Sequence, residues 1–182
     1  MLLSSGPKLR DYKKEIEKFI NKNKTYVVAL NTQVKINKKL IHLYVACNPL
    51  KVMAEARQYR NISSPLVAPI MLLSDQVKKK LKKVKIFNFE VGLQDSSCKF
   101  YNSCSNIPKL YTVAYALSIA ASGKANKIYL AGFDGYQKND RRLKIIDEIF
   151  QSYSKAKGAP PVTAITPSNY NIQKKSIYTL WF

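Results

Sequence analysis

The chain is poor in the residues that most often carry catalytic chemistry. Its 182 residues include one histidine, His42, so no Ser/His/Asp or Cys/His set can be assembled around a base. An isolated imidazole at a strand whose side chains alternate between faces reads as a structural group rather than a general base. Cysteine is scarce: Cys47, Cys98 and Cys104 are an odd number, and their spacing matches no zinc pattern. Reduced thiols in a cytoplasmic protein are the simplest reading. Of the six glycines, none forms a Gly-x-Gly-x-x-Gly or Walker loop after the first strand, which excludes those two phosphate-binding fingerprints. No apolar run approaches the roughly twenty residues of a membrane span, and Leu2-Leu3 before Ser-Ser-Gly-Pro does not make a signal peptide.

Negative charge is also scarce. Eleven acidic residues face 31 basic ones, giving a formal charge of +20 and a field that draws anions from a distance. Nucleic acid, a phosphorylated small molecule, an acidic membrane surface or an acidic neighbouring domain would each satisfy that field. The lysines are spread over helix faces and turns, as in Lys78-Lys79-Lys80, and no Arg-rich or Gly/aromatic ribonucleoprotein motif is present, which argues against specific nucleic-acid binding. A hydrophobic content of 46% supports one core and is too little for two ordinary domains. One domain over residues 1–182 is expected. Because strand signals begin at the first residue, the chain is expected to be a piece of a longer protein.

What is present alternates between strand and helix signals. Met1 to Ser4, Tyr26 to Leu30, Ile41 to Ala46, Ile86 to Val91, Ile128 to Ala131 and Val162 to Ile165 are short apolar runs, and Pro65 to Pro69 brackets another. Tyr12, Ile16, Phe19 and Ile20 share one face of a helix over 11–21. Short helices are expected around Val52, Met53 and Ala56 and from Ser74 to Lys83, with longer ones over 109–122 and 141–154. Residues 92–108, including Ser96-Ser97, read as a long polar loop, and Ile177 to Phe182 as an edge strand or a docking tail. The alternation predicts an α/β fold, a Rossmann-like, mostly parallel sheet with helices on both faces.

In such a sheet the polar loops leaving the strands converge on one edge, where ligands bind. The organising stretch is Lys127 to Tyr136, a buried strand that delivers Asp134 between two glycines. Asp134 either touches a ligand, as the one catalytic candidate, or caps the next helix or satisfies loop amides. Around it the sequence assembles Ser5, Gly6, Asn31, Asn48, Tyr136 and Tyr170. Gly6 allows close backbone approach, the first helix offers amides to a phosphate, and Asn31 or Asn48 can pair with a base or ribose. Equally, Ser-Gly-Pro can simply start a helix, and Tyr136 and Tyr170 either donate hydrogen bonds to phosphate or close the loops over the core. Asp134 and Asp140 are too thin a pair to specify a metal.

At these loops the chain resembles a known module. Ser-Gly-Pro-Lys-Leu at 5–9, Leu-Asn at 30–31, Tyr-Val-Ala-Cys-Asn-Pro at 44–49, Lys-Ile-Tyr-Leu-Ala-Gly-Phe-Asp-Gly-Tyr at 127–136 and Ile-Thr-Pro-Ser-Asn-Tyr at 165–170 resemble the C-terminal module that follows a hydroxymethylglutaryl-CoA-lyase-type barrel in bacterial 4-hydroxy-2-oxovalerate aldolases. The resemblance implies an aldolase barrel as partner in a parent chain, with the metal and lyase residues in that barrel. More distantly the loops resemble bacterial lipooligosaccharide sialyltransferases. There, a Gly-Pro-Ser turn, two Asn positions and an Ile-Tyr-Leu-x-Gly-x-Asp loop surround a cytidine nucleotide, which by this match places Gly6, Asn31, Asn48 and Asp134 around the ligand. The turn here reads Gly-Pro-Lys, and no histidine lies between Tyr136 and Phe182. Three expectations follow: an accessory module binding a nucleotide or nucleotide-sugar of CMP or UDP type, a glycosyltransferase, or a domain that makes the aldolase a homo-oligomer.

Overall fold

The computed structural model describes residues 1–95 and 97–180. In chain order the strands are β1 (Leu2–Leu3), β2 (Val28–Leu30), β3 (Leu43–Val45), β4 (Leu66–Ala68), β5 (Ile86–Asn88), β6 (Glu90–Leu93), β7 (Lys99–Phe100), β8 (Cys104–Ile107), β9 (Ile128–Ala131), β10 (Val162–Ala164) and β11 (Gln173–Lys174). The helices are α1 (Pro7–Asp11), α2 (Lys13–Asn23), α3 (Pro49–Ala54), α4 (Ala56–Tyr59), α5 (Asp75–Lys80), α6 (Thr112–Ser122) and α7 (Arg141–Ser154). Eight strands form one sheet in the order β5-β4-β3-β2-β1-β9-β10-β11, every pair parallel. The fold is Rossmann-like α/β.

Alternate residues of each strand feed opposite faces of the sheet. Leu2, Val28, Leu30, Val45, Val67 and Leu130 pack with α6 and α7, whereas Leu3, Ala29, Tyr44, Ala46, Leu66 and Ala131 pack with residues of α1 to α5. Burial on both faces is why the strands read as continuous apolar runs. The first helix signal resolves into α1 and α2, joined at Tyr12, and Ile16, Phe19 and Ile20 form the buried stripe as expected. Ser74 caps α5 by accepting from the Val77 amide at 3.4 Å.

Two expectations are corrected. The run from Ile86 to Val91 is broken at Phe89: β5 pairs with β4, and β6 leaves to start a second sheet. The stretch read as a polar loop at 92–108 carries most of that small mixed sheet, ordered β6-β8-β7 with β7 antiparallel to β8. Its strands are hard to see because they are short and mix apolar with polar core-facing positions: Val91, Phe100 and Ile107 pack on the main cluster while Ser105 is buried among them. Ser105 shares a hydrogen bond with Ser118 of α6 at 2.9 Å, and Ile107 on β8 and Cys98 before β7 are also buried. The Tyr115 hydroxyl of α6 donates to the Phe89 carbonyl, locking the point where the chain changes sheets. Tyr115→Phe leaves that buried carbonyl without its donor and should lower the unfolding free energy by about 1–3 kcal/mol in urea titration. At the C-terminus, β11 supplies the edge strand, and Ile177–Leu180 is a 3-10 turn with Ile177 fully buried. Ser96, Trp181 and Phe182 lie outside the described residues.

Candidate functional site

Strand order reverses at β1, which has β2 on one side and β9 on the other. The crevice outside the carboxyl ends at such a reversal is where open α/β sheets bind ligands. Here the loops leaving β1 and β9 are stitched together, Ser4 N–H donating to the Ala131 carbonyl and Gly6 N–H to the Gly132 carbonyl, both at 3.0 Å. Asp134 crosses from the β9 loop to the start of α1, where its Oδ2 accepts from the Lys8 amide at 2.7 Å. Its Oδ1 is buried and has no partner. Burial raises this carboxyl above the ordinary Asp value; the amide and charge of Lys8 pull it down, and Asp11 adds to the rise.

This contact corrects one sequence expectation and gives Gly6 a second constraint. The entrance of α1 does not offer open amides to a phosphate: Pro7 has no N–H, Lys8 is bonded to Asp134, and Leu9 donates to the Gly6 carbonyl at 3.0 Å. The close approach at Gly6 is made to the facing loop. A Cβ there would meet the Gly132 carbonyl at 2.4 Å and Asp134 Oδ1 at 2.6 Å, so the glycine is required by the facing loop.

The loop after β10 braces the same region. Thr166 Oγ1 accepts from the Gly132 amide at 3.0 Å, and Asn169 donates its own amide to the Asp134 carbonyl at 2.8 Å. Asn169 also bonds the Tyr136 carbonyl through Nδ2 at 3.1 Å. The Tyr136 ring lies under the Arg142 guanidinium, 4.2 Å from its centroid. The Tyr170 ring is buried against Phe150, and burial, followed by Tyr136 and Asp147, pushes its hydroxyl well above the ordinary range. On the other side of β1, Asn31 follows β2 in the left-handed region at φ 60°, 92% buried, with its amide on the Val45 carbonyl and its Oδ1 unpartnered. Ser5 is exposed and lines a cleft of about 170 Å³ together with Gly6, Arg10, Gln33 and Lys35.

Asn48 is differently occupied. Its Oδ1 accepts from the Leu50 and Lys51 amides at 3.0 and 3.2 Å, which makes it the N-cap of α3. Asn48→Ala should cost about 1 kcal/mol of stability, measured by thermal unfolding, and leave ligand affinity unchanged. Asp140 caps α7 and holds Arg142 Nη2 at 2.6 Å, so it does not pair with Asp134 around a metal. Among the described residues, no group of three or more His, Cys, Asp or Glu is placed to hold one. His42 sits at the opposite end of the strands, its Nδ1 accepting from the Val27 amide at 3.1 Å and its ring stacked on Tyr26. Cys47 and Cys98 are free thiols that burial pushes up to about 11, far from thiolate reactivity at neutral pH.

Glu55 escaped the sequence reading. It is 93% buried, and its Oε2 accepts from both the amide (2.9 Å) and the hydroxyl (2.5 Å) of Thr32, the residue after Asn31. The signal was present: Val52, Glu55, Ala56 and Tyr59 fall at i, i+3, i+4 and i+7, which puts an acid on the buried face. Its carboxylate fixes the loop that carries Asn31.

Two larger grooves lie elsewhere, one of about 800 Å³ along α7 and β10, the other of about 970 Å³ at the amino ends of the central strands. Volume favours them, but the switch-point edge brings Asp134 Oδ1 and Asn31 Oδ1, two unpartnered acceptors, to strands flanking β1. Comparisons of the chain with protein families, curated proteins and solved structures return no match. Among the described residues no helix is long and apolar enough to cross a membrane.

Proposed function

We propose that this chain is a module that binds a nucleotide or nucleotide-sugar, of CMP or UDP type, at the switch-point edge, and serves as the C-terminal partner of an aldolase barrel in surface-polysaccharide synthesis. The observation that carries the binding reading is Asp134. One of its oxygens is fixed on the first helix and the other has no partner, in the crevice where such sheets bind ligands. An acceptor held this way suits a ribose or sugar hydroxyl, or an exocyclic amine. Asn31 supplies a second unpartnered acceptor across β1. The aldolase partnership is supported by the resemblance alone. Four of its five segments, 5–9, 30–31, 44–49 and 165–170, fall at or just beyond the carboxyl ends of β1, β2, β3 and β10, and the fifth, 127–136, spans β9 and the loop beyond it. Binding is favoured over sialyl-type transfer because the one imidazole, His42, stands at the other end of the strands as a structural group.

Calorimetric titration with CMP, UDP, GDP, ADP, NAD and a CMP-sugar tests the reading. Selective binding of one pyrimidine nucleotide or its sugar conjugate is the expected result, and no binding by any of them overturns it. An aldolase partnership predicts that the full-length parent protein carries lyase activity which this chain alone lacks.

A further inference from the structure

We propose that the cleft between the loops leaving β1 and β2 is an anion subsite, with Arg10 and Lys35 as its cations, that takes the phosphate of the bound nucleotide. The identity of the ligand rests on the nucleotide reading above; the anion site does not. In sheets of this kind a phosphate ordinarily meets the amides at the start of the first helix. That position is filled here: Asp134 occupies the Lys8 amide, Pro7 has none, and Leu9 is turned onto Gly6. An anion placed there would face a carboxylate.

One loop away the chemistry is reversed. The cleft is lined by Ser5, Gly6 and Pro7 from the β1 loop, Gln33 and Lys35 from the β2 loop, and Leu9 and Arg10 from α1, with no carboxylate among them. Arg10 and Lys35 are both exposed. Nearby lysines are already neutralised, Lys8 by Asp11 at 3.2 Å and Lys13 by Glu17 at 3.9 Å, whereas among the described residues no carboxylate lies within ion-pair distance of Arg10 or Lys35. A volume of about 170 Å³ accommodates a phosphate or diphosphate, since a water's share of liquid is about 30 Å³. Arginine supplies a planar fork suited to phosphate oxygens, lysine a point charge, and Ser5 a hydroxyl at the rim. The ligand then lies across β1, with its anionic end on the β2 side and a hydroxyl-bearing end on the β9 side at Asp134.

The test titrates inorganic pyrophosphate, cytidine and CMP into the wild-type chain, into Arg10→Gln/Lys35→Gln, and into Lys79→Gln/Lys80→Gln on exposed positions of α5. The two variants lower the net charge equally, so they separate a built site from the general field of a +20 protein. Pyrophosphate affinity should fall by about tenfold or more in the cleft variant and stay within about twofold of wild type in the α5 variant. CMP should fall toward cytidine in the cleft variant, with cytidine unchanged. Equal losses in both variants, or a wild-type chain that does not take up pyrophosphate, overturn the subsite. Site-dependent pyrophosphate binding without any binding of cytidine or CMP keeps the subsite and instead removes the nucleotide reading. Matching unfolding midpoints of the three proteins establish that the variants are folded.

Discussion

Gly132→Ala should lower the unfolding free energy by about 2–5 kcal/mol, read from urea titration. Gly132 has φ +72°, where an L residue costs about 1–2 kcal/mol. Space makes the substitution worse: the new Cβ would lie 2.4 Å from the Ser4 carbonyl oxygen and 2.7 Å from Leu9 Cβ. The first of these is backbone on the central strand's exit and has no rotamer through which to retreat. Relief requires moving the β9 loop away from the β1 loop, which also strains the Gly6 and Thr166 hydrogen bonds to Gly132. Against a typical domain stability of about 5–15 kcal/mol this is a large fraction. A loss below about 0.5 kcal/mol would mean that the two loops are not packed as described.

Asp134→Asn should have opposite effects on stability and on binding. Its carboxyl is raised chiefly by burial, so the folded protein holds that proton more tightly than the unfolded chain. Between the ordinary Asp value and the raised one the folded state binds more protons, and stability falls as pH rises through that interval. Asparagine keeps an oxygen for the Lys8 amide and never ionises. The variant should therefore match wild type below the interval and exceed it in stability at neutral pH. The same change removes the charged acceptor offered to the ligand, and nucleotide affinity should drop by roughly ten- to a hundredfold. If the variant is less stable at neutral pH and binds as before, Asp134 is only a clamp between the two loops.

The parallel sheet was legible because each central strand is buried on both faces and so appears as an unbroken apolar run, as at Ile128–Ala131. The small sheet was not: its inward residues include the polar Ser105, whose burial depends on Ser118 of α6, and it begins with a change of sheet at Phe89 that no local pattern announces. In the site, the loop that carries Asp134 was readable from two glycines around a strand end. Which groups those residues would meet was not readable. Asp134 on the Lys8 amide and Gly6 against Gly132 are contacts that only the relative placement of the loops decides, whereas Asn48 caps its own helix through the amides two and three residues on, a local contact. Glu55 was readable from helical spacing, but its partner Thr32 lies 23 residues away. Arg10 and Lys35 are two among 31 basic residues, and nothing in the sequence distinguishes them from the rest until the cleft is seen.

Amide chemical-shift mapping on addition of CMP tests the nucleotide site most directly, because it reports where a ligand sits as well as whether it binds. The expected perturbations cluster at Ser5, Gly6, Lys8, Asn31, Thr32 and Gly132 to Tyr136, with His42 and Tyr26 at the far edge unmoved. Shifts confined to the amino ends of the strands, or none at saturating CMP and UDP, would contradict a nucleotide site at the switch-point edge.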